Sequence, residues 1–297
     1  MRQVSVILPV YNAQLYIEDA VNSILNQTLT DFDLIVIDDG STDNSLKILT
    51  ELASHDARIV LISRENRGLI ETLNQAISMV KTDYIARMDA DDISLPERLE
   101  KQLWYMKKNP ELAILGTSYR YMDEHGEVTT KRNTFNKHED IKASFYFSNP
   151  IAHPSVMINY KLLGAEYVYL PEYQTIEDLE LWYRLSNRYR IENLPDVLLH
   201  YRVLKTSISG SNLDSQINLA ATMMCQSDLL SGEQLNTEIL KATYNYTVNS
   251  STYSRFFNAC LKLNMWNIKH NKVNVFSLFK RSLIAMLLWR RKNIRVD

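Results

Sequence analysis

The stretch Tyr84-Ile85-Ala86-Arg87-Met88-Asp89-Ala90-Asp91-Asp92 decides the fold, because an apolar run ends there in three carboxylates. Such a run is typical of a buried parallel strand, and open α/β sheets bind ligands beyond the carboxyl ends of these strands. Clustered carboxylates repel one another unless a cation or hydrogen bonds compensate, and their hard oxygen atoms favour Mg²⁺ or Mn²⁺. We therefore predict a metal and nucleotide site at Asp89 and Asp91. For Asp92 or Ser94, capping of the next helix is the alternative.

The N-terminal half repeats one pattern, in which an apolar run is followed by a polar loop and then by an amphipathic helix. This alternation predicts right-handed βαβ units and a parallel sheet covered by helices on both faces. Each strand then delivers its loop to the same edge of the sheet, where Tyr11, Asp39 and the three carboxylates are expected to converge. The predicted strands are residues 4–8, 32–37, 59–62 and 84–88.

The common nucleotide-binding fingerprints are absent from the sequence. No Gly-x-Gly-x-x-Gly follows the first strand, and no Gly-Lys-Ser/Thr phosphate loop occurs anywhere. This pattern argues against a dinucleotide dehydrogenase and against a P-loop NTPase. A divalent ion on Asp91 supplies another way to hold phosphates, because it neutralises a diphosphate that the carboxylates would otherwise repel.

Five motifs follow one another along the chain: VILPVYN at 6–12, IDDGSTD at 37–43, ENRG at 65–68, DADD at 89–92 and ED at 177–178. This ordered set resembles the signature of the inverting family-2 glycosyltransferases of the GT-A fold, from about residue 3 to about residue 206. HEDI at 138–141 and FSNPI at 147–151 are similar to bacterial transferases that extend lipooligosaccharide or capsule glycans with N-acetylhexosamine or hexose. The resemblance implies a Rossmann-like α/β fold with a mostly parallel central sheet flanked by helices.

The resemblance also implies a UDP-sugar donor. Tyr11 would lie against the uracil ring, with Pro9 fixing the backbone before it, and Asp39 would accept a hydrogen bond from the uracil N3–H. Asp89 would face the ribose or the sugar, and Asp91 would bind Mn²⁺ or Mg²⁺. The predicted donor-binding residues are Pro9, Tyr11, Asn12, Asp39, Arg67, Arg87, Asp89, Asp91 and Arg202.

Plainer roles remain open for several of these residues. Tyr11 is alternatively an ordinary, half-buried tyrosine of a loop. Asp38 or Asp43 is alternatively a turn or cap residue. Arg67 and Arg87 either contact phosphate or pair with neighbouring acids.

The resemblance assigns the second half of the domain to the acceptor. Residues 151–158 resemble the family's strand under the sugar pocket, and residues 175–182 begin an amphipathic helix with Glu177 and Asp178 at its start. A general base must reach the acceptor hydroxyl, and a helix N-terminus both positions a carboxylate and keeps it ionised. We predict that Asp178 is the catalytic base and that Glu177 and His153 contact the acceptor. Alternatively, Glu177 and Asp178 are ordinary acidic residues of a first helical turn, and His153 is a packed, hydrogen-bonded histidine.

One position departs from the family pattern. Many relatives place a histidine two residues beyond Arg202, where it helps to close the cation site, and this chain has Leu204 there. The ion would then rely on Asp91, diphosphate oxygens and water, unless His200 or His153 takes part. Arg202 and Lys205 either screen the diphosphate as part of a mobile lid, with residues 207, 209 and 210, or belong to a plain surface loop.

The length of 297 residues suits one catalytic domain plus an appendage. We predict a domain of residues 1–210, with a nucleotide-binding half (1–117) and an acceptor half (118–210), followed by a helical basic extension, 211–297. Cys225 and Cys260 form neither a disulfide framework nor a metal-ligand pattern, so a reducing cytoplasm fits. The first predicted strand begins almost at Met1, which leaves no room for a signal peptide.

Charge is segregated along the chain. Residues 239–297 hold eleven Lys/Arg and one acid, a net charge of +10, whereas residues 1–238 carry −12. The uncharged part of residues 276–292 is too short to span a bilayer. It can lie on one, with apolar residues buried and basic residues on anionic headgroups, or it can dock on the acidic body of the protein. We predict a cytoplasmic protein, peripheral on the inner face of the bacterial cytoplasmic membrane, and no nucleic-acid partner, because no known binding motif accompanies the charge.

The function predicted from the sequence is metal-dependent inverting transfer of a sugar from a UDP-sugar to a glycan or glycolipid hydroxyl. A nucleotidyltransferase is the main alternative among enzymes, and it would consume a nucleoside triphosphate and release pyrophosphate. A non-catalytic glycan-binding subunit is the alternative outside enzymes. Intact Asp91 and Asp178 argue against that second alternative.

Overall fold

The structure is a computed structural model that describes residues 2–132, 134–204, 213–226, 239, 250–270 and 273–293. The expected lid residues Lys205, Ser207, Ser209 and Gly210 lie outside the described residues.

Within the described residues, nine strands form one mixed sheet with the order β3-β2-β1-β4-β8-β6-β9-β5, and β7 pairs with β6. The first four strands in this order are parallel, as the βαβ pattern predicted. The next pairs are antiparallel, except that β6 runs parallel to β9. The strands are β1 (Val4–Val10), β2 (Phe32–Asp39), β3 (Ile59–Arg64), β4 (Tyr84–Arg87), β5 (Ile93–Ser94), β6 (Leu112–Met122), β7 (Val128–Arg132), β8 (Met157–Asn159) and β9 (Arg190–Arg202).

Helices cover both faces of the sheet. Successive residues of a strand point to opposite faces, so Ile7 packs with α3, α5, α7 and α8, whereas Val6 and Leu8 pack with α1, α2 and α4. The α-helices of the described residues are α1 (Ile17–Leu25), α2 (Ser45–His55), α3 (Leu69–Met79), α4 (Arg98–Lys108), α5 (His138–Ser144), α6 (Tyr160–Leu163), α7 (Glu177–Ser186), α8 (Leu213–Gln226), α9 (Ser250–His270) and α10 (Val275–Asn293).

The region predicted as one strand at 151–158 is shorter and interrupted. A turn of 3₁₀ helix occupies His153–Ser155, and the strand itself, β8, begins at Met157. Pro154 explains the difference, because it has no N–H for a strand ladder and its fixed φ suits the start of a helical turn.

The C-terminal helices pack on α5 and on the residues that follow it. Leu278 and Ala285 of α10 are buried in one cluster with Ala143, Tyr146 and Phe147. The side chain of Arg281 is 7% exposed; its Nε donates to Ser144 Oγ at 3.0 Å, and its guanidinium lies 4.3 Å from the ring centre of Phe135. The inner face of α10 therefore docks on the body of the protein, which is one of the two alternatives left open for this segment. The side chains of Trp289 and of the basic residues 290–292 are outside what the structure describes.

Candidate active site

The parallel strands bring the predicted donor residues to one edge of the sheet. Tyr11 follows β1, Asp39 ends β2, and the acidic cluster (Asp89, Asp91 and Asp92) follows β4. Since β1 pairs in parallel with both β2 and β4, these carboxyl ends face the same side. The convergence expected from the sequence is thus present in the fold.

The β2 end of this edge is built around the Asp39 carboxylate, which is 4% exposed. Its Oδ1 accepts from the Arg67 backbone N–H at 2.9 Å and pairs with the Arg64 guanidinium, and its Oδ2 accepts from the Gly68 N–H at 2.9 Å. A carboxylate oxygen has two acceptor positions, so Oδ2 keeps one for a ligand donor. Gly40 permits this packing, because its φ of +73° is left-handed and a Cβ there would lie 2.6 Å from the Asn66 nitrogen.

The loops after β1 and β2 are joined by hydrogen bonds around Asn12. The Asn12 N–H donates to Ser41 Oγ at 3.0 Å, and its Oδ1 accepts from the Thr42 N–H at 2.8 Å. Tyr11 beside it is 53% exposed, so its ring face is accessible to a planar ligand. Asp43 accepts from Ser45 N–H at 2.9 Å, which is the turn role left open for it.

The acidic cluster fits a divalent cation. One ligand oxygen of each of its three residues lies within 4.8 Å of the others, and no histidine joins them among the described residues. Burial, followed by the negative charge of Asp89, raises the pKa of Asp91 to about 6, and burial with both neighbouring charges raises the pKa of Asp92 well above its ordinary value. Asp92 Oδ2 is buried without a hydrogen-bond partner. The three carboxylates repel one another, so this arrangement requires a compensating positive charge. Their hard oxygen donors suit Mg²⁺ or Mn²⁺.

Two buried arginines lie beneath the cluster. Arg87, 3% exposed, pairs with Asp89, whereas its Nε and Nη1 have no hydrogen-bond partner. Arg98 is fully buried, and its Nη2 donates to the Arg87 carbonyl oxygen at 2.6 Å. Burial lowers the pKa of Arg98 to about 9, so it stays protonated at neutral pH and offsets part of the negative charge above it. The sequence reasoning did not identify Arg98.

The predicted arginines differ in what they contact. Arg67 has a side chain that is 60% exposed and lies 3.8 Å from Glu71. Arg202 donates from Nε to the Asp91 carbonyl oxygen at 2.7 Å and from its backbone N–H to Asp92 Oδ1 at 2.7 Å. Its guanidinium also lies 4.4 Å from the ring centre of Tyr16. Arg202 thus fastens the end of β9 to the loop of the acidic cluster, and its contact with a diphosphate stays a prediction.

Asp178 lies in the first turn of α7, as the sequence predicted. Its Oδ2 accepts from Asn149 Nδ2 at 2.7 Å, and its Oδ1 accepts from the Leu179 N–H at 2.7 Å. Burial, followed by the charge of Glu177, raises the pKa of Asp178 to about 7. Thr175, three residues earlier, has a φ of +82°, a costly conformation for a β-branched residue and one that clusters at functional sites.

His153 has the packed, hydrogen-bonded arrangement that the sequence left open. Its side chain is 8% exposed, its Nε2 lies 2.7 Å from the Tyr169 hydroxyl, and its ring meets Trp182 edge to face at 5.7 Å. Burial lowers its pKa well below the ordinary value, so the ring is neutral. His200 pairs in register with Ile93 and Arg120 on neighbouring strands.

A cavity of about 420 Å³ opens beside Asp178. It is lined by residues of β6, β9, α7 and α8 together with Asn149 and Ile151. Asn149 and this cavity were not assigned a role from the sequence, although Asn149 belongs to the FSNPI motif at 147–151 that carried part of the resemblance.

Comparisons with known proteins agree with this geometry. The chain matches the family model "Glycosyl transferase family 2" over residues 5–163. It is 37% identical over 217 residues to the O-antigen biosynthesis glycosyltransferase WbnJ of Escherichia coli, covering 71% of this chain and 83% of that protein. It is 33% identical over 202 residues to the amylovoran biosynthesis glycosyltransferase AmsE of Erwinia amylovora, covering 67% and 75%.

Two solved structures share the fold. S. aureus TarS 1-349 in complex with UDP-GlcNAc superposes with a TM-score of 0.61 at 20% identity, over 99% of this chain and 88% of that one. The mannosyltransferase PcManGT from Pyrobaculum calidifontis, in complex with GDP-Man and Mn²⁺, gives a TM-score of 0.61 at 16% identity, over 98% and 83%. The chain has the GT-A fold and belongs to glycosyltransferase family 2. It is a glycosyltransferase.

Proposed function

We propose that the protein transfers a hexose or N-acetylhexosamine from a UDP-sugar to a hydroxyl of a bacterial surface glycan or glycolipid, with inversion. The observation that carries this proposal is the presence of two acidic centres: the acidic cluster after β4, where Asp89 pairs with the buried Arg87, and Asp178 in the first turn of α7. The O-antigen relative in E. coli supports a glycan acceptor, and the UDP-GlcNAc complex of TarS supports the donor. The choice of uridine rests on Asp39, whose Oδ2 accepts one hydrogen bond from Gly68 and can accept a second from the uracil N3–H.

The acidic cluster would hold Mn²⁺ or Mg²⁺ through Asp91, with Asp89 toward the ribose or the sugar. A divalent ion bound there would neutralise the diphosphate and stabilise the departing UDP. Tyr11, on the exposed loop after β1, would stack on the uracil, with Pro9 and Asn12 setting the backbone around it. Arg67, Arg87 and Arg202 are the residues proposed to offset phosphate charge.

Asp178 would act as the general base. Its carboxylate takes the proton of the acceptor hydroxyl while that oxygen attacks the anomeric carbon of the donor. The bond between the anomeric carbon and the diphosphate oxygen breaks as the new bond forms, and UDP leaves with the electron pair. Attack from the face opposite to UDP inverts the anomeric configuration. We propose that Glu177 and His153 contact the acceptor.

The test of the donor site is thermal unfolding of the full chain with a panel of nucleotides and Mn²⁺. UDP and one UDP-sugar should raise the melting temperature, because a ligand of the native state stabilises it. Asp91→Asn should remove this metal-dependent shift and keep the fold, since the amide is nearly isosteric but uncharged. Asp196→Asn, an exposed carboxylate 3.2 Å from Lys101, serves as the matched control. An unchanged UDP–Mn²⁺ affinity in Asp91→Asn would remove the metal assignment, and turnover of a nucleoside triphosphate with release of pyrophosphate would overturn the reaction class.

We also propose peripheral binding to the inner face of the cytoplasmic membrane, through the extension that begins near residue 211. None of the described helices is both long and apolar enough to cross a bilayer. The outer faces of α9 and α10 carry exposed apolar side chains at helical spacing, and we call this set the apolar stripe. It consists of Leu261, Met265, Ile268, Phe276, Phe279 and Leu283. Combined with the net charge of +10 in residues 239–297, it suits an anionic lipid surface.

A further inference from the structure

The cavity beside Asp178 has an aromatic wall. Tyr119 and Tyr121 of β6 point to the same side because they are two residues apart, and Tyr201 of β9 is the register partner of Tyr121. The ring centre of Tyr119 lies 5.3 Å from that of Tyr121 and 5.5 Å from that of Tyr201. All three side chains are partly exposed, so the rings hold one another in place and still present surface to the cavity.

The opposite wall comes from α8. Leu213, Ile217 and Ala220 line it, and α8 packs with α7 in the core on this face of the sheet. Polar groups at the rim come from Asn149, Thr175 and Gln216. The cavity therefore combines broad apolar surfaces with a few hydrogen-bonding groups, which is the usual composition of a small-molecule site.

The cavity also reaches the donor edge of the sheet. Tyr201 lines the cavity and directly precedes Arg202, whose backbone N–H donates to Asp92 Oδ1 at 2.7 Å, so this tyrosine joins the cavity to the loop of the acidic cluster. Asp178 lines the same cavity. A molecule held here would thus be next to the proposed base and on the side from which the donor sugar is reached.

We propose that this cavity binds the terminal pyranose of the acceptor, with a C–H face of the sugar against Tyr119 and Tyr121 and one hydroxyl directed to Asp178. This inference rests on the proposed function. A pyranose has apolar C–H faces and a rim of hydroxyls, which match the aromatic wall and the polar rim. A volume of about 420 Å³ is at the small end for ligand sites, which suits one or two sugar rings rather than a long glycan.

The test uses methyl and octyl pyranosides of glucose, galactose, N-acetylglucosamine and N-acetylgalactosamine as probes. Their binding to the full chain, loaded with UDP and Mn²⁺, is followed by saturation-transfer NMR and calorimetry. Tyr119→Ala and Tyr121→Ala should weaken the bound pyranoside at least about tenfold, which is a change of about 1.4 kcal/mol. Tyr119→Phe should keep most of the affinity because it keeps the ring. Tyr105→Ala, a partly exposed tyrosine of α4 outside this cavity, should leave binding unchanged.

Gln216→Trp places a large side chain in the cavity from α8 and leaves the tyrosines unsubstituted, so it should also exclude the pyranoside. It keeps the proposal testable if an alanine variant fails to fold. Unchanged pyranoside affinity in the folded variants would overturn the proposal, as would the absence of binding by every probe to the wild type at up to about 10 mM. UDP–Mn²⁺ binding, measured on the same samples, separates the two failures: its loss from the wild type contradicts the proposed function, whereas its retention without pyranoside binding contradicts only this site.

Discussion

At the scale of single residues, the ionisation of Asp178 sets an expected pH dependence. Its pKa of about 7 is raised by burial and then by Glu177, and a general base acts only when it is ionised. Transfer should therefore fall about tenfold per pH unit below about pH 7. Asp178→Asn should lower transfer about 10²-fold or more and remove this dependence, with UDP affinity nearly unchanged. Rate measurements against pH check both effects. Wild-type turnover in the variant would mean that another residue, such as Glu177, is the general base.

The hydrogen bond from Asn149 should tune that base. Nδ2 of Asn149 donates to Asp178 Oδ2 at 2.7 Å, which favours the ionised carboxylate. Asn149→Ala should raise the pKa of Asp178 further, so that the acidic limb of the rate profile moves to higher pH while UDP binding is kept. Asn187→Ala, at the other end of α7, is the matched control, because its amide bonds only to the Tyr183 carbonyl oxygen at 3.2 Å among the hydrogen bonds described for that side chain. A profile that does not move in Asn149→Ala would show that the contact has no catalytic role.

At the scale of secondary-structure elements, α10 offers a comparison between neighbouring basic residues. Arg281 is buried and donates to Ser144 and Ser148, and it stays protonated because burial lowers its pKa only to about 10. Lys280 makes a surface pair with Asp140 at 3.1 Å. Arg281→Ala should lower the free energy of unfolding by about 2 kcal/mol, the scale of hydrogen bonds from a charged group. Lys280→Ala should cost less than about 1 kcal/mol.

Urea denaturation of both variants measures this difference. Similar losses of stability in the two variants would mean that α10 is held by apolar contacts such as Leu278 and Ala285 rather than by Arg281. Removal of the whole of α10 would also expose the cluster that it covers, so single substitutions test its contacts more specifically.

At the scale of the whole molecule, the segregated charge and the apolar stripe predict salt-dependent membrane binding. The intact chain should sediment with anionic liposomes, and binding should weaken as salt rises, because headgroup attraction is screened over about 10 Å at 0.1 M. Phe276→Ser combined with Phe279→Ser should reduce binding while keeping the fold, since these side chains are 76% and 57% exposed. Trp104→Ser, 58% exposed on α4, is the control. Equal binding to neutral and anionic liposomes would remove the electrostatic part of the proposal.

Much of the nucleotide-binding half could be predicted from the sequence. The alternation of apolar runs and helical periodicity predicted the four parallel strands, and the order of the motifs predicted the family. Asp178 was found at a helix start because local spacing marks both the helix and its first turn. The strand predicted at 151–158 was wrong in extent, because Pro154 has no N–H for a strand ladder and a turn of 3₁₀ helix forms there.

The sequence by itself determined the βαβ order, the edge to which Asp39 and Asp91 are delivered, and the charge of the extension. Those properties depend on local periodicity and on composition, which a single chain displays directly. Only the tertiary structure decided that Arg64 pairs with Asp39, that Arg98 lies beneath the acidic cluster, and that Asn149 holds Asp178. It also assembled the cavity from β6, β9, α7 and α8. These contacts join side chains that are far apart along the chain or that turn inward only when the sheet and helices pack, so no local pattern in the sequence records them.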